Sequence, residues 1–218
     1  MDSFFHQQHG VLVAPNKCGS TTLWSTIPRD QLITKFTPVH FANGINWDAV
    51  VRDPVAFYVS GYRYSAGHMF EEAILMDYDP VSFEHHLEYC IGRRHRSDLI
   101  DYRNQFDTHT WLDPVSHIEL LMKNNDSDIS RINNFIKLED ATTYNQACDN
   151  FSGGKKMTID NVTSIKAYED QYRHNRFIDY PVLNDRSISL LRELDIWSHR
   201  VGYNLNESIE NYNAINRK

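Results

Sequence analysis

Residues 11–24 read Val-Leu-Val-Ala-Pro-Asn-Lys-Cys-Gly-Ser-Thr-Thr-Leu-Trp. Four consecutive apolar residues run into a turn that holds Pro15 and Gly19, and three hydroxyl residues follow. No other stretch of the chain limits its fold as strongly. A short unbroken apolar run is the pattern of a strand buried on both faces, which is the situation of a parallel sheet. Ser and Thr at the next positions favour a helix start, because their oxygens accept from backbone N–H groups that the first turn leaves unpaired. A strand that passes through a tight turn into a helix is the building unit of α/β sheets.

The rest of the chain continues the alternation. Apolar patterning predicts further strands at residues 36–41, 47–51 and 134–138. Asp53-Pro54 predicts a helix start, with Asp as N-cap and Pro at the first helical position, and Ala56, Val59 and Tyr62 share one face. Asp79-Pro80 and Asp113-Pro114 repeat the signal, for helices over 80–91 and through Ile118 and Leu121. Further helices are expected near 142–148 and over 164–179 and 183–201, with Gly202 as a natural C-cap. Residues 152–156, Ser-Gly-Gly-Lys-Lys, read as a loop. The expectation is one α/β domain over residues 1–218, with a central mostly parallel sheet flanked by helices. Ligands of such sheets bind beyond the carboxyl ends of the strands.

Composition narrows the function. Twelve Tyr and eleven Phe supply burial that a disordered chain lacks. The formal net charge of -7 argues against a general nucleic-acid partner, which is normally met by a basic excess. Cys18, Cys90 and Cys148 lack the paired spacing of a zinc site or a disulfide framework, and reduced thiols suit a cytoplasm. No run approaches the ~18 apolar residues of a membrane span, and residues 1–10 carry no signal-peptide core. The expected location is therefore cytoplasmic, with no membrane span and no metal.

Two segments carry chemistry. The turn at 15–22 combines Lys17, a glycine that lets backbone approach an oxyanion, and the hydroxyls of Ser20, Thr21 and Thr22. That is an anion cradle. It is not the GxxxxGK[ST] pattern, because Lys17 precedes Gly19, so a P-loop kinase or ATPase is disfavoured. A Cys18 phosphatase loop fails as well, since Trp24 stands where its arginine would be. The blander account is a Ser/Thr-capped helix with a solvated lysine. The second segment is Arg52-Asp53-Pro54 with Ser60 eight residues beyond Arg52. An arginine ending a buried strand suits phosphate, because its fork donates two parallel hydrogen bonds. Its blander account is an ion pair at the sheet edge.

Two anion sites at neighbouring strand ends suit a ligand with phosphates at both ends. At this point the sequence resembles the sulfotransferases that use 3′-phosphoadenosine-5′-phosphosulfate (PAPS). Residues 16–23, Asn-Lys-Cys-Gly-Ser-Thr-Thr-Leu, resemble that family's 5′-phosphosulfate loop, Pro-Lys-x-Gly-x-Thr-x-Leu. Arg52-Asp53-Pro54 with Ser60 and Tyr62 resembles its 3′-phosphate motif, Arg-Asp-Pro-x5-Ser-x-Tyr. Downstream the likeness is to the carbohydrate (Golgi-type) branch. It rests on residues 107–114, on Leu138-Glu139-Asp140 closing a strand, and on residues 191–203 ending in Gly202-Tyr203. Three features depart from the pattern. Asn16 replaces the proline before the lysine, Phe57 stands where an arginine is common, and no N-terminal anchor segment precedes the loop.

The resemblance implies a P-loop-like three-layer fold and transfer of a sulfuryl group from PAPS to a hydroxyl on a carbohydrate, leaving 3′,5′-ADP (PAP). Lys17 would be catalytic, stabilising the leaving 5′-phosphate. Lys17, Cys18, Gly19, Ser20, Thr21 and Thr22 would hold the 5′ end, and Arg52 and Ser60 the 3′-phosphate. Lys155 and Lys156 would close over that phosphate from their glycine loop. His40, at the end of the strand expected over 36–41, is the first choice for the base that takes the acceptor proton. His68, Glu71, Glu72 and His109 are further candidates, and Trp111 could stack on a sugar. The alternatives are a P-loop-like nucleotide kinase or ATPase, and a non-catalytic nucleotide-binding domain.

Overall fold

The computed structural model describes residues 1–68, 82–94, 112–153 and 179–216. Lys155, Lys156, Glu71, Glu72, His109 and Trp111 lie outside the described residues, as does the helix expected over 164–179. The strands are β1 (Asp2–His6), β2 (Gly10–Ala14), β3 (Trp47–Val51) and β4 (Asn134–Lys137). The described helices are α1 (Ser20–Thr26), α2 (Pro54–His68), α3 (Phe83–Arg94), α4 (Pro114–Lys123), α5 (Ala141–Ser152), α6 (Asp185–Leu194) and α7 (Leu205–Asn216). The chain divides into two compact units, one formed by Met1–Arg52 with Asp113–Asn161, the other by Asp53–Leu112 with Val162–Lys218.

The first unit holds the sheet, in the order β1-β2-β3-β4. β2, β3 and β4 are parallel and β1 runs antiparallel to β2, so the sheet is open, mixed and mostly parallel. Every residue of β2 is buried, as its unbroken apolar run requires. Val11, Val13, Trp47 and Ala49 form one core cluster with Ile118 and Met122 of α4. Each such side chain contributes roughly 1.5–3 kcal/mol on leaving water. Asp113 caps α4, its carboxylate accepting from the Ser116 N–H at 2.8 Å and the Ser116 hydroxyl at 2.6 Å.

The register fixes which residues share an edge. Ala14, Val51 and Lys137 end the three parallel strands, and Leu138 N–H donates to the Val51 carbonyl at 2.8 Å. The loop 15–19, Arg52 and Glu139 therefore leave from the same side of the sheet. Asp2 joins them, because it pairs with Ala14. The His6–Gly10 turn and the start of β3 lie at the opposite edge, about 13 Å away along a five-residue strand.

The strand expected over 36–41 is corrected. That segment folds as a 3₁₀ turn, Pro38–Phe41. Pro38 has no N–H to give a central ladder, and its fixed φ suits a helical start. Phe36 and Phe41 instead pack on Trp47, with ring centroids 5.7 and 4.9 Å away. β1 is an addition that the polar composition of residues 1–10 concealed. An edge strand needs only one bonded side and one buried stretch, here Ser3 and Phe4.

In the second unit Asp53 caps α2, accepting from Ala56 N–H at 2.9 Å, as expected. Phe57, at the place of the family's arginine, is buried edge-on to Trp197. α3 packs on α6, with Asn184 donating to Glu84 at 2.7 Å and Arg186 paired with Glu88 at 2.8 Å. The helix expected over 183–201 is two pieces, α6 and a 3₁₀ turn Ser198–Val201 closed by left-handed Gly202. Asp195 separates them, because its carboxylate takes the Ser198 N–H and hydroxyl. α7 follows, beyond the last helix expected. Among the described residues no helix is long and apolar enough to cross a membrane.

Candidate functional site

The site lies in the first unit, where β2 gives way to α1. Cys18 N–H closes a turn on the Pro15 carbonyl at 3.0 Å. Lys17 and Gly19 both adopt left-handed backbone, at φ 66° and 79°. Glycine does this without cost, whereas a lysine there is strained by roughly 1 kcal/mol or more. Between them the Cys18 side chain turns fully inward. Gly19 has no room for a side chain. A Cβ would fall 2.7 Å from the Tyr144 hydroxyl and 2.9 Å from Leu138 Cδ1.

Arg52 leaves the end of β3 and donates from Nη1 to the Lys17 carbonyl at 3.0 Å. Its Nε is buried with no hydrogen-bond partner. Two cations thus meet at one corner of the loop. Burial, and then the Arg52 charge, lower the Lys17 pKa to about 7. A buried guanidinium nitrogen without an acceptor costs on the order of 1–3 kcal/mol. An anion at that corner would favour the charged form of Lys17.

Burial pushes the Cys18 thiol well up, Arg52 notwithstanding, so it stays protonated and is no nucleophile. Only the backbone of Cys18 can serve a ligand at the surface of the loop. Thr22 is buried too, and its hydroxyl bonds Tyr144. Its N–H is spent on the Gly19 carbonyl at 3.1 Å, which also accepts from Leu23 N–H at 3.2 Å and the Tyr144 hydroxyl at 3.2 Å. The Ser20 hydroxyl bonds the Asp2 carboxylate, whose pKa burial raises. An acid beside the cradle is a feature that the sequence did not announce. Thr21 stands in the first turn of α1.

Of the residues expected at the site, the first unit brings together Lys17, Cys18, Gly19, Ser20, Thr22 and Arg52. Ser60 sits in the second turn of α2, half-buried, in the second unit. His40 is not at this site. It lies in the 3₁₀ turn, its ring packed on Phe5 at 5.1 Å and its carbonyl accepting from the Trp47 indole at 2.9 Å. Phe5 and Trp47 both flank the start of the parallel strands, so His40 belongs to the opposite edge. Its Nδ1 accepts from Thr37 N–H at 3.0 Å, which closes the turn. His40 thus closes its own turn and lies away from Lys17 and Arg52.

Tyr144, Asp2 and Glu139 belong to the site's surroundings and were not singled out from sequence. Glu139 does stand in the Leu-Glu-Asp segment, and its charge bears on Cys18 with that of Asp113. Nothing in the chain marks Tyr144 or Asp2, because their roles come from strand register and from a contact 125 residues apart. A shallow cavity of about 500 Å³, lined by Phe5, His6, Gln7, Gln8, Asp30 and Gln31, lies at the hairpin end of the sheet and is not part of this site. No protein-family model, curated protein or solved structure matches the chain.

Proposed function

We propose that the protein is a PAPS-dependent sulfotransferase with a P-loop-like fold, acting on a hydroxyl of a carbohydrate. One observation carries the reading. Arg52 and Lys17 meet at the carboxyl ends of parallel strands, with an Arg52 nitrogen buried and unpaired. Such a corner calls for an anion. The Lys-x-Gly-x-Thr and Arg-Asp-Pro motifs select PAPS among anions through the resemblance stated above.

In this reading an acceptor oxygen attacks sulfur in line. A new S–O bond forms, the bond between sulfur and the 5′-phosphate oxygen breaks, and the acceptor hydroxyl's proton passes to solvent. Lys17 stabilises the charge that gathers on that leaving oxygen. With a pKa near 7 Lys17 is partly neutral in the free site, and ligand charge draws its proton on. The loop backbone from Cys18 to Thr22 borders the 5′ end, and Arg52 takes the 3′-phosphate. Ser60, Lys155 and Lys156 join this reading through the sequence alone. Positioning and charge stabilisation carry the chemistry, as in phosphoryl transfer.

The test is calorimetric titration of wild type and Arg52→Ala with PAP and with MgATP. PAP should bind wild type, and Arg52→Ala should weaken it about tenfold or more. Binding of MgATP alone would replace the reading with a nucleotide kinase or ATPase. Binding of neither would leave a domain without this donor.

A further inference from the structure

We propose that Tyr144 is the positioning residue of the loop: its hydroxyl fixes the left-handed turn that presents Lys17 and Arg52 to an anion. The proposal rests on the anion-binding reading of that corner. Tyr144 stands in the first turn of α5 and is buried. Its hydroxyl donates to the Gly19 carbonyl at 3.2 Å. The same hydroxyl also bonds the Thr22 hydroxyl and the Cys148 thiol. One atom thus ties both sides of the turn between Gly19 and Thr22.

The tie has three physical consequences. It adds a third donor to the Gly19 carbonyl, which already accepts the first intrahelical bonds of α1 from Thr22 N–H and Leu23 N–H, and so holds the turn to the start of that helix. It excludes any side chain at Gly19, which keeps that residue free to hold its φ of 79°. It also carries through to Lys17, two residues away, which is strained in the same left-handed region and held by Arg52 from the other side. A strained lysine persists only where its surroundings over-determine it. Tyr144 and Arg52 hydrogen-bond carbonyls at either end of the loop. Burial pushes the phenol up, so it remains a donor throughout the neutral range.

The test compares wild type, Tyr144→Phe and Cys148→Ala. The last removes the Cys148 bond to the Tyr144 hydroxyl and leaves its loop bond to Gly19 in place. Two readouts are taken: PAP affinity by calorimetry, and titration of the Lys17 side chain by NMR, with Lys17→Met identifying its signal. Thermal melting shows that each variant folds. Tyr144→Phe should weaken PAP about tenfold, the effect of losing one well-placed interaction. It should also move the Lys17 midpoint upward as the loop relaxes and the amine regains water. Cys148→Ala should leave both within twofold of wild type. A Tyr144→Phe protein that loses stability but keeps the wild-type Lys17 midpoint and PAP affinity would overturn the proposal and reduce Tyr144 to packing. If wild type fails to bind PAP while the Lys17 midpoint still moves in Tyr144→Phe, the PAPS reading falls and the positioning role stands.

Discussion

Lys17 bears two burdens at once, a left-handed backbone and an ammonium short of water. An anion beside the ammonium would relieve the second of these. The sign of its pH effect follows. The folded pKa is about 7 and the unfolded one about 10.5. Between those values the unfolded chain binds the proton and the folded one does not, so stability falls as pH drops from 10.5 to 7 and then levels. Lys17→Met should remove that slope and raise stability at pH 7 by on the order of 2 kcal/mol, while PAP affinity falls about tenfold or more. Melting curves from pH 6 to 10 with both proteins check the first part, and calorimetry checks the second. At this scale the sequence was informative where residue type alone sets the chemistry. Lys17, Gly19 and Arg52 were legible because a lysine-glycine turn after a buried strand has few uses. Tyr144 was not legible, since a tyrosine inside an amphipathic helix says nothing of what its hydroxyl meets.

Among the elements, the turn at Pro38–Phe41 shows where local patterning misleads. Apolar residues over 36–41 gave a strand, and the ladder was refused by a proline. Thr37 and His40 close the turn instead, and Trp47 supplies the surface for its aromatic rings. His40→Ala should therefore lower stability by about 1 kcal/mol, through lost capping and packing, and leave PAP affinity within twofold of wild type. A large loss of affinity in a protein of unchanged stability would return His40 to the site. Two of the three expected Asp-Pro starts behaved as their sequences said, and Asp79 and Pro80 lie outside the described residues. Asp53-Pro54 and Asp113-Pro114 both open helices, and both aspartates accept the expected N–H. A cap is a contact between residues three apart, so no tertiary information is needed to see it. α1 is different. At seven residues it is too short to be stable alone, and the contact of Tyr144 with Gly19 helps anchor its start.

For the molecule as a whole, two buried bases act in succession along the pH axis. His86, fully buried on α3 beside the Cys90 thiol, has its pKa lowered by burial to about 3. Above pH 6.5 it is neutral in both states and costs nothing. As pH falls from 6.5 toward 3 the unfolded chain takes up a proton that the folded one refuses, at up to about 1.4 kcal/mol per unit. Denaturant midpoints should fall over that window, and His86→Gln should flatten the fall while Lys17→Met leaves it alone. Periodicity and caps in the sequence determined that this chain makes a mostly parallel sheet with helices, and that a lysine-glycine turn and an arginine end two of its strands. They could do so because each is a property of neighbouring residues. Tertiary structure alone decided that β1 joins the sheet, that Asp2 meets Ser20, that His40 stands at the wrong edge and that Tyr144 ties the loop. Those outcomes depend on register and on contacts between distant segments, where a shift of one residue would reverse every face.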